Sequence, residues 1–279
     1  MVEISRNGII ITVFSTASAV GKSLIAVNLT AELAHQGFRA CVVDLDLQFG
    51  DIANFLQLQP VQTIYDAQLA IDKNPESFDL MTYITPYTYG ETTFSVITAP
   101  KTLEQAYAVS AKQAGKVIRE LRREYDYVII DTTSSFTELN LEVMDISTLI
   151  TAVAIVDFIP TIKNMKMGYE AMKRMGYAAN KIRFILNRSN AKTNIEIGDV
   201  EHLLNASFYH VLPNDFKAAV ESIHSAVPIV LDLTKKDSPL AAGLIALTDK
   251  YTNRMGKTQG TKTAALQQNG GGFFGLFHK

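Results

Sequence analysis

An apolar, β-branched run, Gly8-Ile9-Ile10-Ile11-Thr12-Val13-Phe14, leads into small residues, Ser15-Thr16-Ala17-Ser18-Ala19-Val20. Gly21-Lys22-Ser23 then opens the helical pattern Leu24-Ile25-Ala26-Val27-Asn28-Leu29. The order predicts a strand, a phosphate-sized turn and a helix whose first amides face that turn. Unpaired N–H groups at a helix start carry partial positive charge, Lys22 can reach phosphate oxygens, and the Ser23 hydroxyl can ligate magnesium. Loops of this kind usually carry a glycine separated by four residues from the Gly-Lys-Ser triplet; here that residue is Thr16. Thr16, Ser18 and Ala19 make the loop less permissive of positive φ and close backbone approach. A plain strand-turn-helix with a solvated lysine competes with the phosphate reading.

Two later segments favour the phosphate reading. Ala40-Cys41-Val42-Val43-Asp44-Leu45-Asp46 reads as a buried strand ending in two acids, and Tyr127-Val128-Ile129-Ile130-Asp131 as another ending in one. Asp131 would hold magnesium through water or cap the next helix, because Thr132 to Ser135 is also capping chemistry. Further units follow: a strand over 149–156, a helix over 163–175 and a strand over 182–186. This alternation predicts an α/β fold, a mainly parallel central sheet with helices on both faces. A helix over 22–36 closes at Gly37. Residues 80–84 and 94–97 read as a hairpin-like pair split by a turn from Pro86 to Gly90. A long helix is expected over 102–124, and its basic end at Arg119, Arg122 and Arg123 suits the helix dipole better than DNA. Met165, Met167, Met172 and Met175 read as core filler.

The 279 residues carry a net charge of −2 with no long cationic run, so the bulk charge supports neither nucleic acid nor an anionic membrane as a partner. The single cysteine, Cys41, excludes an intrachain disulfide and reads as a buried thiol in a reducing cytoplasm. The start of the chain lacks a signal-peptide pattern, and no apolar run reaches the ~20 residues of a membrane helix. Residues 1–251 form one domain by length and pattern. Residues 252–279 read as a linker of Thr, Gln, Gly and Lys ending in Phe273-Phe274-Gly275-Leu276-Phe277-His278-Lys279. Three readings of that tip stand open: weak peripheral membrane contact through 273–279, a docking peptide, or an inert tail.

Lys22, its helix and Asp44-Leu45-Asp46 at this spacing resemble the MinD/ParA family of P-loop ATPases. Val43-Asp44-Leu45-Asp46-Leu47-Gln48-Phe49-Gly50-Asp51 is more narrowly similar to the TadZ/CpaE branch, which serves assembly of Tad (Flp) type IV pili. The resemblance spans roughly residues 8 to 250. It implies ATP and Mg2+ as cofactors, with Ser18, Ala19, Val20, Gly21, Lys22, Ser23 and Leu24 around the phosphates. It places Asn187, Arg188 and Pro213 near the base, although Asn187 by itself reads equally well as a strand-end turn residue. It gives Asp46 and Lys22 the catalytic roles, and Ser23, Asp44 and Asp131 the metal, with Asp44 also able to order its loop. It further implies an ATP-bridged homodimer and pilus assembly proteins as partners. Two departures stand out: the loop position of a cross-subunit lysine is Ala17, which predicts weak or conditional hydrolysis, and Thr and Ser replace the proline-rich switch expected after Asp131. An active switch ATPase positioning DNA or other cargo is the alternative. The ATPase half of a bacterial tyrosine kinase is a third reading, disfavoured because no tyrosine follows Tyr251.

Overall fold

The apolar runs pair side by side. The computed structural model describes residues 7–156, 159–189 and 195–253. The first half contains β1 (Ile9–Phe14), α1 (Lys22–His35), β2 (Ala40–Leu45), α2 (Ile52–Phe55), α3 (Ile64–Lys73), β3 (Thr85–Tyr89) and β4 (Thr92–Ile97). It continues through α4 (Leu103–Tyr107), α5 (Ala111–Glu124), β5 (Tyr127–Thr132), α6 (Glu138–Ile146) and β6 (Leu149–Ala154). The last part holds α7 (Ile159–Arg174), β7 (Ile182–Leu186), α8 (Ile197–Leu204), β8 (His210–Val211), α9 (Phe216–Ser225) and α10 (Pro239–Tyr251). The strands form one sheet of order β3-β4-β2-β5-β1-β6-β7-β8, parallel throughout except for the β3–β4 pair.

Successive side chains on each strand point to opposite faces, so each run feeds two cores. Ile11, Val13, Val42 and Ile129 pack under Val27, Leu29 and Leu33 of α1 and Leu244 and Leu247 of α10. On the other face Ile10, Val43 and Ile130 meet Val117, Ile118 and Leu121 of α5, while Phe14, Ile150 and Phe184 meet α7 and α8. Burying each such side chain contributes about 1.5–3 kcal/mol, which is why strands buried on both faces read as continuous apolar runs. The expected α/β architecture is the one observed.

Local readings differ in three places. The helix expected over 102–124 breaks into α4 and α5, because Gln68 of α3 enters the gap. Its amide nitrogen, Nε2, donates to the Ala108 carbonyl (2.8 Å) and its Oε1 accepts from the Ser110 N–H (2.8 Å). The hairpin uses Thr85–Tyr89 rather than residues 80–84, which form a 3-10 turn capped by Asp79. Pro86 is accommodated because β3 is the sheet edge. Met165 and Met172 are buried, as filler should be, whereas Met167 and Met175 are exposed.

The basic end of α5 is engaged within the fold: Arg119 bonds Glu142, Arg122 donates to the Gly8 carbonyl, and Arg123 pairs with Glu120. Cys41 is fully buried and burial pushes its thiol pKa up. No described helix is long and apolar enough to cross a membrane. The readings placed on residues 273–279 lie outside the described residues.

α7 lies against the β1–α1 loop. A Cβ built on Gly168 would collide with the Thr16 methyl and approach Phe136. Gly168→Ala is therefore expected to destabilise the chain by about 1–3 kcal/mol in urea unfolding, and adding Thr16→Ala should recover most of that loss. A single substitution without cost would show that the helix does not bear on the loop.

Candidate functional site

Sheet register brings the acids to the loop. Val13 aligns with Asp131 across β1 and β5, and Asp131 aligns with Asp44 across β5 and β2. All three strands run parallel, so their carboxyl ends form one edge, where α/β sheets bind ligands. The loop between β1 and α1 sits on that edge. Thr132 ties the strands there by donating to the Val13 carbonyl (2.9 Å).

The loop reaches its shape with one glycine where several are usual. Gly21 takes φ +94°, and a Cβ there would strike the Asn187 amide at 2.6 Å. Ala19 also adopts positive φ, +58°, despite its side chain. The left-handed region costs a residue bearing Cβ about 1–2 kcal/mol, so neighbours must hold it there. Two do so from the end of β7: Arg188 donates to the Ala19 carbonyl (3.0 Å) and the Asn187 Nδ2 to the Val20 carbonyl (2.8 Å). Arg188 itself has φ +55°. The bracing of the loop was not visible in the sequence, because it comes from 167 to 169 residues away.

Lys22 points along the loop and donates to the Ser134 hydroxyl (2.9 Å), which donates in turn to the Ala17 carbonyl (2.8 Å). Below them lies Asp131, 1% exposed, and among the described residues neither of its oxygens has a hydrogen-bond partner. Burial raises its pKa to about 7; the nearby Ser23 hydroxyl and Lys22 ammonium pull it down and the Asp46 carboxylate pushes it up. Those influences place Lys22, Ser23 and Asp46 around one carboxylate.

Asp44 is fully buried with both oxygens occupied: Oδ1 accepts from the Asp46 N–H and Oδ2 from the Ile52 N–H, each at 3.1 Å. Burial, then the Asp131 charge, raises its pKa well above the usual carboxylate range. This geometry serves ordering of the Asp46–Ile52 segment, one of the two roles expected of Asp44. Asp46, half-buried, is thereby held facing the cavity.

That cavity has a volume of about 810 Å3 and is bordered by Lys22, Ser23, Asp46, Asn187, Arg188 and Pro213. Ser18, Ala19, Gly21 and Leu24 line it as well, while Val20 is buried beneath. Its volume lies within the range of small-molecule sites. Asn187 keeps one amide hydrogen and one lone pair beyond its bonds to Val20 and Arg188, the pair an adenine edge would need. Cavity residues that escaped the sequence reading include Ser134, hidden in a run read as capping chemistry, and Phe49 and Phe216, which stand 75% and 68% exposed at the rim.

Residues 11–226 match the CobQ/CobB/MinD/ParA nucleotide binding domain. The chain belongs to that family. An iron-sulfur cluster carrier protein of Pyrococcus horikoshii is 26% identical over 275 residues, covering 90% of this chain and 88% of that protein. Among solved structures, a ParA family ATPase from Chlorobium tepidum superposes with a TM-score of 0.78 at 21% identity, over 88% of this chain and 98% of that one. MinD of Pyrococcus horikoshii, complexed with Mg-ADP, gives 0.73 at 20% identity, over 88% and 96%. These two share the fold.

An unpartnered buried carboxylate in a MinD/ParA-type domain has a measurable cost. The folded pKa of Asp131 is about 7 against an ordinary 3.8, so the unfolded chain releases this proton first. The group therefore opposes folding increasingly as pH rises from about 4 to about 7, and fully above that. Asp131→Asn should raise the melting temperature of the nucleotide-free chain by at least about 2 °C at pH 8, with a smaller gain at pH 5. An equal gain at both values would mean that the carboxylate is not perturbed.

Proposed function

We propose that this chain binds ATP with magnesium in the 810 Å3 cavity and acts as an ATP-stabilised homodimer in assembling or positioning a Tad/Flp type IV pilus apparatus, with weak or conditional hydrolysis. The observation that carries the nucleotide part is Asp131, a buried acid without a hydrogen-bond partner among the described residues, set among Lys22, Ser23 and Asp46. An orphaned acid there suits a hydrated cation, because magnesium usually keeps several waters and takes one or two protein ligands plus phosphates.

In this reading Ser23 ligates magnesium directly and Asp131 holds its water. The ion, when bound, neutralises phosphate charge. The loop amides and the start of α1 receive the phosphates, and Lys22 supplies a cation to the β- and γ-oxygens. Asn187 and Pro213 border the base. Asp46 orients the attacking water.

Ala17 limits turnover. Its methyl cannot offer the positive charge that a second cation would bring to the transferring group, and such charges change rates by roughly 10³ to 10⁵. The pilus assignment is supported by the similarity of the Val43–Asp51 run to the TadZ/CpaE branch. A cytoplasmic location belongs to the same proposal.

The archaeal relative is named a cluster carrier. Iron-sulfur clusters are held by thiolates, and the one cysteine here is buried within β2. That cargo is not carried over. Positioning of DNA is not proposed either, since Arg119, Arg122 and Arg123 of α5 are engaged within the fold.

Mg-ATP is expected to raise the melting temperature and Lys22→Ala to abolish the rise; an undiminished rise in the variant would remove the loop from the site. Steady-state hydrolysis should lie near background in the parent and increase at least about tenfold in Ala17→Lys. Rapid hydrolysis by the parent would contradict the role given to Ala17. The pilus reading is tested by deleting the gene and scoring surface Tad/Flp pili; unchanged piliation would end it.

A further inference from the structure

The segment that follows Asp131 is tied to the phosphate loop by a continuous hydrogen-bond chain. Lys22 donates to the Ser134 hydroxyl at 2.9 Å, and that hydroxyl spends its single proton on the Ala17 carbonyl at 2.8 Å. The bridge joins residues 112 and 117 positions apart in sequence. Ser134 is thus both acceptor and donor, and the chain runs from the ammonium through the hydroxyl to the loop backbone.

The residues on either side of Ser134 are fixed from below. Asn140 of α6, 1% exposed, uses Nδ2 to reach the Thr133 Oγ1 (2.8 Å) and the Ser135 carbonyl (2.6 Å). Thr137 caps the same helix by accepting from the Asn140 N–H (3.1 Å). Phe136 closes the segment against Phe14, with ring centroids 5.0 Å apart. Backbone, side chain and ring contacts therefore all hold residues 133–136 in one arrangement before any nucleotide arrives.

We propose that Ser134 is a positioning residue, which aims Lys22 at the phosphate site and latches the β5–α6 segment to the β1–α1 loop, so that the segment stays closed with nucleotide absent, diphosphate bound or triphosphate bound. The chemistry permits this because an ammonium carries three hydrogens. One serves Ser134 and two remain for phosphate oxygens, so binding does not require the bridge to open. A hydrogen bond to a charged group is also stronger than a neutral one. The segment after the buried acid then transmits little about the γ-phosphate, and any response to nucleotide arises elsewhere, at the Asp46–Ile52 segment or between subunits.

The latch itself does not depend on the nucleotide reading; its insensitivity to phosphate number does. Amide hydrogen exchange of residues 133–137 in the full-length chain tests both. Without nucleotide, the parent should be protected, Ser134→Ala and Lys22→Ala should each exchange at least about tenfold faster, and Ser134→Thr should stay within about twofold of the parent. A general packing role for Ser134 would leave Lys22→Ala unaffected, so protection surviving in that variant would overturn the latch. With Mg-ADP or a magnesium complex of a non-hydrolysable ATP analogue, parent exchange should remain within about twofold; a tenfold change with the triphosphate alone would overturn the closed segment. If neither nucleotide binds, the proposed function fails while the nucleotide-free comparison still decides the bridge.

Discussion

The site is organised around a buried carboxylate, Asp131, that has no hydrogen-bond partner among the described residues. Ionised groups are expensive to bury, and the usual remedy is a fixed cation or several N–H donors. Asp44 receives that remedy, with two backbone amides. Asp131, its neighbour in register on β5, does not. The difference divides labour between adjacent strands: one acid is spent on the shape of a loop, and the other is kept available. Burial and the charge of Asp46 both drive Asp131 toward its neutral form, so a cation placed among Lys22, Ser23 and Asp46 would relieve a strain the fold already carries.

The same economy appears in the phosphate loop. A loop with several glycines reaches left-handed conformations at little cost. This one relies on alanine at position 19 and holds it with contacts from β7. Bracing through Asn187 and Arg188 ties the loop to the end of β7, so one amide and one guanidinium both shape the loop and line the cavity. Substituting either would disturb binding through geometry as well as through lost contact, and the two effects separate only in double-mutant cycles with Ala19.

How much was legible follows from the range of each interaction. Strands buried on both faces announce themselves as apolar runs, and a parallel sheet then puts strand-end acids on one edge, so Lys22, Asp46 and Asp131 could be gathered from the sequence. The break between α4 and α5 could not, because it is made by Gln68 some 40 residues away. Pro86 and its neighbours read as a turn, since nothing local states that β3 is an edge. Thr133 to Ser135 read as capping chemistry, which Thr137 in fact supplies. The hydroxyl that matters faces a lysine more than a hundred residues earlier. Local pattern reports elements; it does not report which surplus polar group has been recruited across the fold.

Ala17 and Ser134 together bear on whether this domain hydrolyses or holds its nucleotide. The Ala17 carbonyl is held by Ser134 while its methyl offers no charge, so the loop is ordered at this position but brings no second cation there. Binding and turnover draw on different groups here. In the proposed function Lys22, Ser23 and Asp131 gather a triphosphate and its cation, while charge stabilisation during transfer would need a donor that Ala17 does not supply. A site that keeps the first set and lacks the second is suited to a long-lived bound state. Under the proposed positioning role the lifetime of that state matters more than the rate of the reaction, and a segment tied to the loop through Ser134 fits that role.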